Sequence, residues 1–400
     1  MLFDSKLIVE GSVEMCEPIE FLKELVNTNS VNPPGNEEVV AEIIAKVLSA
    51  NGIASTLRPL GPKRAYLVAR LKGMGNRRSL VFCGHMDTVP QGDMPWEHAA
   101  FDATEMDGRI YGRGTSDMKG GLAALTLAMI AISKRDVSLQ GDIVLAATAG
   151  EEVDCLGARA MIEDGVLNDA GAMIIGEPSN GEIFVAHKGA LWIEIVSYGK
   201  TAHGSMPEQG INAIDNMYSV MSALYTKLKF KCVEDDLLGG PTLNVATISG
   251  GVKTNVVPDR CRLEIDIRTV PGQDHGEILS DIHGLLKEIE DSSQAKFELK
   301  ILNSQVAVRT PRDDPLIQVG LSTADDLFKR VHEPRGVRYF TDASAFVPGL
   351  GNDLAVLIYG PGNETMAHKP DEYVEVRKYV ESIKFYEEVA LRYLGGKENG

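Results

Sequence analysis

The sequence predicts an α/β protein whose mixed sheet carries helices on both faces, interrupted by a smaller inserted α+β unit. Two observations carry this expectation. Up to residue 175, short apolar runs alternate with longer segments whose apolar residues recur at helical spacing, as in βαβ units. From 190 to 302 the order becomes strand, helix, strand, strand, helix, strand, which is the ferredoxin-like arrangement, and α/β character then resumes. The expected division is therefore 1–189 and 304–400 for the first domain and 190–303 for the inserted one. A chain of 400 residues also exceeds what a single core usually serves.

Taken in order, the chain opens with amphipathic helices expected at 17–27 and 36–48, the second following an Asn32-Pro-Pro-Gly35 turn. Strands are expected at 66–71 and 80–83, a buried helix at 120–132, a strand at 142–147, a helix at 156–164 and a strand at 172–175. The inserted unit supplies a strand at 190–198, a helix at 211–229, strands at 242–248 and 260–268, a helix at 274–289 and a strand at 296–302. An apolar run at 354–359 and a helix at 374–394 complete the chain.

Composition narrows the function classes. Lys and Arg number 40 against 57 Asp and Glu, a net charge of −17 that argues against a nucleic-acid or anionic-membrane partner. Cys16, Cys83, Cys155, Cys232 and Cys261 are scattered and show no Cys-x-x-Cys spacing, as expected for reduced thiols in the cytoplasm. The first residues lack the basic and long apolar regions of a signal peptide, and the most apolar stretch, 120–132, is too short to span a bilayer.

The chemistry gathers at strand ends. The run 80–83 delivers His85 and Asp87 just past its end, on the same side of an extended segment, where a carboxylate can hold the second nitrogen of a metal-bound imidazole. A glycine-rich bend presents Asp117 before the helix at 120–132. The next strands end on Glu151-Glu152 and on Glu177, and the run 354–359 leads to His368. Taken singly, adjacent acids such as Glu151 and Glu152 more often just cap a following helix. Two histidines and several carboxylates along one sheet edge instead suit two divalent ions sharing a bridging carboxylate, zinc first, with cobalt or manganese as alternatives. Such a pair polarises a carbonyl and acidifies a water whose proton a free carboxylate accepts, so the expected chemistry is hydrolysis. The spacing alone does not choose between Glu151 and Glu152 for that last role.

Five ordered segments, Gly84-His85-Met-Asp87-Thr-Val-Pro90, Tyr111-Gly-Arg-Gly-Thr-Ser-Asp117-Met-Lys-Gly-Gly121, Gly150-Glu151-Glu152, Gly176-Glu177-Pro-Ser179 and Ala367-His368-Lys-Pro-Asp-Glu372, resemble those of the co-catalytic zinc hydrolases. That family includes acetylornithine deacetylase, succinyl-diaminopimelate desuccinylase, aminoacylase and glutamate carboxypeptidase, and the resemblance covers nearly the whole chain. It implies a zinc-peptidase-like catalytic domain with a ferredoxin-like lid that joins two subunits. It further implies that Asp117 bridges two zinc ions, with His85 and Glu177 on one and Glu152 and His368 on the other. Glu151 would be the general base, and Asp87 would orient the His85 ring.

In the inserted domain, Gly199-Lys-Thr-Ala-His203-Gly-Ser205 resembles the family's lid segment, whose histidine reaches the partner subunit's site and stabilises the tetrahedral oxyanion. Asn255 and Arg268 lie in further matching segments, which implies a hydrogen bond to substrate and a clamp on its carboxylate. At Arg338-Tyr-Phe-Thr-Asp342 the chain departs from the family, for many relatives carry glycines where Tyr339 and Phe340 stand, so the substrate pocket is expected to differ. His98, His187, His275, His283 and His332 match no ligand position. The leading expectation is a deacylase of N-acyl amino acids. A carboxypeptidase or dipeptidase with the same machinery is the alternative, and a non-catalytic metal-binding protein fits less well because Glu151 is present.

Overall fold

Side-chain alternation along the central strands decides the architecture. In the strand Ser79–His85, Leu80 and Phe82 enter one core with Leu67, Ala69, Leu145 and Ala147, whereas Val81 and Cys83 enter a second with Tyr66, Val144 and Ala146. A sheet apolar on both sides must be covered on both sides. Helices Pro18–Asn27, Glu37–Ala50, Lys119–Ser133, Pro315–Phe328 and Val376–Tyr393 cover the first face, and Leu156–Glu163 and Ala343–Leu350 cover the second. The computed structural model describes residues 18–231 and 234–395, together with the backbone of 397–398.

The main sheet has nine strands. Its order is Ser55–Gly61, Arg64–Leu71, Ile143–Thr148, Ser79–His85, Ala170–Ile175, Ala355–Ile358, Phe184–His187 and Val308–Arg309, with Arg335–Val337 also paired to Phe184–His187. The four neighbours from Ile143–Thr148 to Ala355–Ile358 run parallel, so their carboxyl ends open on one edge.

A separate antiparallel sheet has the order Thr242–Gly250, Arg260–Thr269, Gly189–Tyr198, Lys296–Gln305. Only one of its faces is apolar. Cys261, Leu263, Ile265 and Ile267 pack under the helices Ala213–Thr226 and His275–Ser292, while Arg262, Glu264 and Asp266 face the other way.

The expected elements recur in the expected order, with further strands such as Phe184–His187 and Arg335–Val337 and the helix Ala343–Leu350 between them, and the differences have local causes. The helix expected from 211 begins at Ala213, because the Asn212 side chain accepts the N–H groups of Ile214 and Asp215 and caps it there. The last helix begins at Val376, since Tyr373–Glu375 pairs as a strand with Arg109–Tyr111. The edge strand Ser55–Gly61 carries no strand signal in sequence because its residues are largely exposed and include Arg58 and Pro59. The helix Pro315–Phe328, absent from the expectation, is capped by Asp314 with proline at its start. Among the described residues Cys83, Cys155 and Cys261 are free and buried, and no helix is long and apolar enough to cross a membrane. Cys16 and Cys232 lie outside the described residues.

Candidate metal centre

Each parallel strand delivers a candidate ligand at the same edge. His85 closes Ser79–His85, Glu151 and Glu152 follow Ile143–Thr148, Glu177 follows Ala170–Ile175, and the chain after Ala355–Ile358 returns with His368. Asp117 comes from the bend before the helix Lys119–Ser133, and that helix lies directly on the Glu177 strand end. A Cβ at Gly121 would sit 1.8 Å from the Gly176 carbonyl oxygen, so only glycine permits the approach that brings Asp117 beside Glu177.

The two oxygens of Asp117 face different histidines. His85 Nε2 is 3.2 Å from Asp117 Oδ1, 3.7 Å from Glu177 Oε1 and 3.9 Å from Glu151 Oε2. His368 Nε2 is 3.3 Å from Asp117 Oδ2 and 3.1 Å from Glu152 Oε2. Donor atoms of His85, Glu151 and Glu177 lie within 4.8 Å of one another, as do those of His85, Asp117 and Glu152. Glu151 thus stands within reach of the His85 and Glu177 ligand atoms.

The electrostatics are those of a site short of positive charge. Burial pushes the Glu177 and Glu151 carboxyls well above the usual carboxylate range, reinforced by Asp117 at Glu177 and by Glu177 at Glu151, and Glu152 is raised by burial and by Asp117. Burial opposes ionisation of Asp117 as well, but the hydrogen bonds from His368 and His85 outweigh it and keep the group ionised. The same contacts act on the imidazoles. Hydrogen bonds to Asp117 and Glu152 lift His368 to about 10, and His85 is raised by Asp117 and the neighbouring carboxylates although burial works against its charged form. Among the described residues, no Lys or Arg pairs with Asp117, Glu151, Glu152 or Glu177. An imidazole and carboxylate set with that imbalance, buried except for the half-exposed His368, fits divalent cations, and its donor types suit zinc and its neighbours in the transition series.

A family model for peptidase family M20/M25/M40 matches residues 81–392, a stretch that includes all six of these residues. The chain belongs to that family. It is a hydrolase of amide bonds. It is 33% identical, over 95% of its own length and 98% of the relative's, to a probable succinyl-diaminopimelate desuccinylase of Staphylococcus aureus. To acetylornithine deacetylase of Vibrio cholerae it is 32% identical, over 89% and 93% of the two chains. The fold is shared with an M20 family metallo-carboxypeptidase, Sso-CP2, of Sulfolobus solfataricus, at a TM-score of 0.79 and 22% identity over 95% of this chain and 100% of the other. It is shared too with the Bacillus subtilis YXEP protein, a dinuclear metal binding peptidase from the M20 family, at a TM-score of 0.73 and 16% identity over 94% and 98%.

Several residues support this candidate centre in ways the sequence did not indicate. The Glu372 carboxylate is fully buried and accepts main-chain N–H groups of Gly114, Ser116 and Asp117 at 3.1, 2.8 and 3.0 Å. Asn32 donates to Asp87 Oδ2 at 2.9 Å, which gives the Asn-Pro-Pro-Gly turn a place in the site. Thr148 donates to the buried Asp342, whose carboxyl is pushed up to about 6 by burial. Tyr339 donates its hydroxyl to the Pro178 carbonyl at 2.6 Å, next to Glu177. Glu372 and Asp342 stood in plain view in the motifs, but an acceptor of main-chain N–H groups, as Glu372 is, or of a single hydroxyl, as Asp342 is, leaves no periodic signal.

The inserted unit's residues lie apart from this set. His203 is exposed and hydrogen-bonds Ser205 Oγ at 2.8 Å, and the neighbouring Gly204 N–H donates to the Asn255 carbonyl at 2.9 Å. Arg268 pairs with Asp266 at 2.9 Å and lies over the Trp192 ring, 5.9 Å from its centroid. The Trp192 ring in turn meets Phe340 edge-on, with centroids 6.2 Å apart. Among the described residues, no hydrogen bond or ion pair joins His203, Asn255 or Arg268 to the six residues around Asp117.

Proposed function

We propose that this hydrolase removes the acyl group from an N-acyl amino acid. The observation that carries the reading is the placement of Asp117 between two ligand sets, His85 with Glu177 and His368 with Glu152, leaving Glu151 beside them as a further carboxylate. The names of the relatives, a desuccinylase and a deacetylase, favour acyl removal over peptide cleavage. A pair of divalent ions, zinc first with cobalt or manganese as alternatives, would be held by those five residues, polarise the amide carbonyl and acidify a water. Glu151 takes the proton from that water and returns it to the leaving amine, a role that suits a carboxyl whose proton affinity burial and Glu177 have raised. Asp266 holds the Nε of Arg268, so its terminal nitrogens are available to clamp the substrate carboxylate, and Asn255 supplies a further hydrogen bond.

In this reading residues 1–189 and 304–400 form the catalytic domain, and 190–303 form a lid through which two copies pair. Two features of the lid support a symmetric dimer. Its edge strand Thr242–Gly250 exposes Ile248, and the helix Ala213–Thr226 exposes Tyr218 and Tyr225. The dimer brings His203 of each subunit to the oxyanion formed in the other's site. Buried free cysteines suit a cytoplasmic enzyme.

The test is a screen of N-acetyl, N-succinyl and N-benzoyl amino acids alongside dipeptides, using protein loaded with Zn²⁺ or Co²⁺. Turnover of at least one N-acyl amino acid well above every dipeptide is expected; hydrolysis confined to peptides would overturn the reading.

A further inference from the structure

Two ligands of the His368 set come from segments far apart in sequence, the bend 111–118 and the loop 360–372, and their relative position needs a physical cause. We propose that Glu372 is the positioning residue that locks the bridging Asp117 against His368. The inference rests on the metal centre proposed above.

One carboxylate oxygen of Glu372 accepts the N–H groups of Gly114, Ser116 and Asp117, so the backbone at the bridging residue itself is tied to the 368–372 segment. The other oxygen accepts from the buried Arg113 guanidinium at 2.5 Å, which aims the carboxylate at the bend. Neighbouring bonds run between the same two segments. Gly112 N–H donates to the Glu372 carbonyl at 2.8 Å, and Ser116 Oγ donates to the Tyr373 carbonyl at 2.7 Å while accepting from Asn363 N–H at 3.1 Å. Just before Glu372, Asp371 accepts the N–H groups of Glu97 and His98, both at 2.9 Å. His368 and Asp371 have φ of 63° and 52°, left-handed conformations that an L residue keeps only where its surroundings over-determine them. The clamp at Asp371 and Glu372 supplies that determination, three and four residues from the imidazole.

A plain counter-ion for Arg113 would need only one of the two oxygens. The cradle of three N–H groups around the other oxygen is what a positioning role requires, and both functions place acceptor demands on both sides of the carboxyl. Glutamine therefore cannot replace it, because its amide would set a donor against either Arg113 or the bend. Aspartate keeps the charge but falls one methylene short.

Wild-type, Glu372→Gln and Glu372→Asp proteins are titrated with Zn²⁺ and Co²⁺ by calorimetry, and the visible absorption of the Co²⁺ forms is recorded. Loss of a group that orients ligands typically weakens metal binding about 10–100-fold. A drop of that size for the weaker of two ions is expected in both variants, with an altered Co²⁺ spectrum and a fall in kcat at nearly constant KM. Wild-type affinity and spectrum in a folded variant, even one of lowered Tm, would make Glu372 a structural counter-ion only and overturn the proposal. So would failure of both variants to fold in saturating Zn²⁺. If wild-type protein itself binds fewer than two ions, the centre fails rather than the role of Glu372 within it.

Discussion

His85 and Asp87 meet through the backbone: the imidazole Nδ1 lies 2.9 Å from the Asp87 carbonyl oxygen, and the nearer carboxylate oxygen of Asp87 is 3.6 Å away. That carboxylate is used elsewhere. Its Oδ1 accepts the N–H groups of Gly150 and Glu151 at 2.9 and 3.2 Å, and its Oδ2 accepts that of Glu152 at 3.3 Å. Asp87 thus aims the imidazole with its main chain and the two glutamates with its side chain.

Asp87→Asn is accordingly expected to disturb Glu151 and Glu152 more than His85. An amide sets a donor against one of these N–H groups or against Asn32, so kcat should fall about 10–100-fold, as for other groups that orient ligands. Steady-state kinetics with metal analysis checks this, and unchanged kcat would refute it.

Two divalent ions per chain are expected in fully loaded protein, with activity lost on chelation and restored by Zn²⁺ or Co²⁺. The reason is the pair of ligand sets sharing Asp117. Elemental analysis showing a single ion in an active sample contradicts the arrangement.

Glu151→Gln should abolish most turnover while leaving two ions bound, because Glu151 is the carboxylate that neither set requires. Loss of a general base costs about 10²–10⁴-fold. If the variant instead loses an ion, Glu151 is a ligand, as its 3.9 Å approach to His85 also permits, and Glu152 takes the base role.

Mixing inactive Glu151→Ala and His203→Ala chains under conditions of subunit exchange should recover part of the activity, since one site of each heterodimer then holds both residues. An oxyanion donor is worth about 10²–10³-fold in turnover, so recovery to about a quarter of wild type stands well clear of either parent. Proven heterodimers without recovery would remove His203 from the partner's site.

His187 on the strand Phe184–His187 is fully buried, and burial depresses its imidazole from 6.5 to about 4. The unfolded chain then binds more protons than the native one between these values. Stability contributed by the neutral ring is complete above about 6.5 and is lost as pH falls toward 4, by roughly 3 kcal/mol. Urea unfolding at pH 7.5 and 4.5 should show His187→Leu losing less stability on acidification than wild type; parallel losses would refute it.

Local patterns alone determined the order of the larger elements and the strand ends at which the candidate ligands stand, whereas the role of each residue there came only with the resemblance to a family. An apolar run bounded by glycine or an acidic pair is legible because period and turn chemistry act over a few residues. Only the tertiary structure decided that strands 143–148, 79–85, 170–175 and 355–358 are neighbours, for their pairing joins residues as far apart in sequence as Ala172 and Ala355. It also decided which oxygen of Asp117 faces which histidine, that the Asp87 carboxylate holds backbone N–H groups rather than the His85 ring, and that Glu372 holds the N–H groups of the bend together with Arg113. A carboxylate looks the same in sequence whether it binds a cation or caps a turn; the donor it meets is set by long-range packing, here by the contact of Gly121 with Gly176 that brings the bend onto the sheet edge.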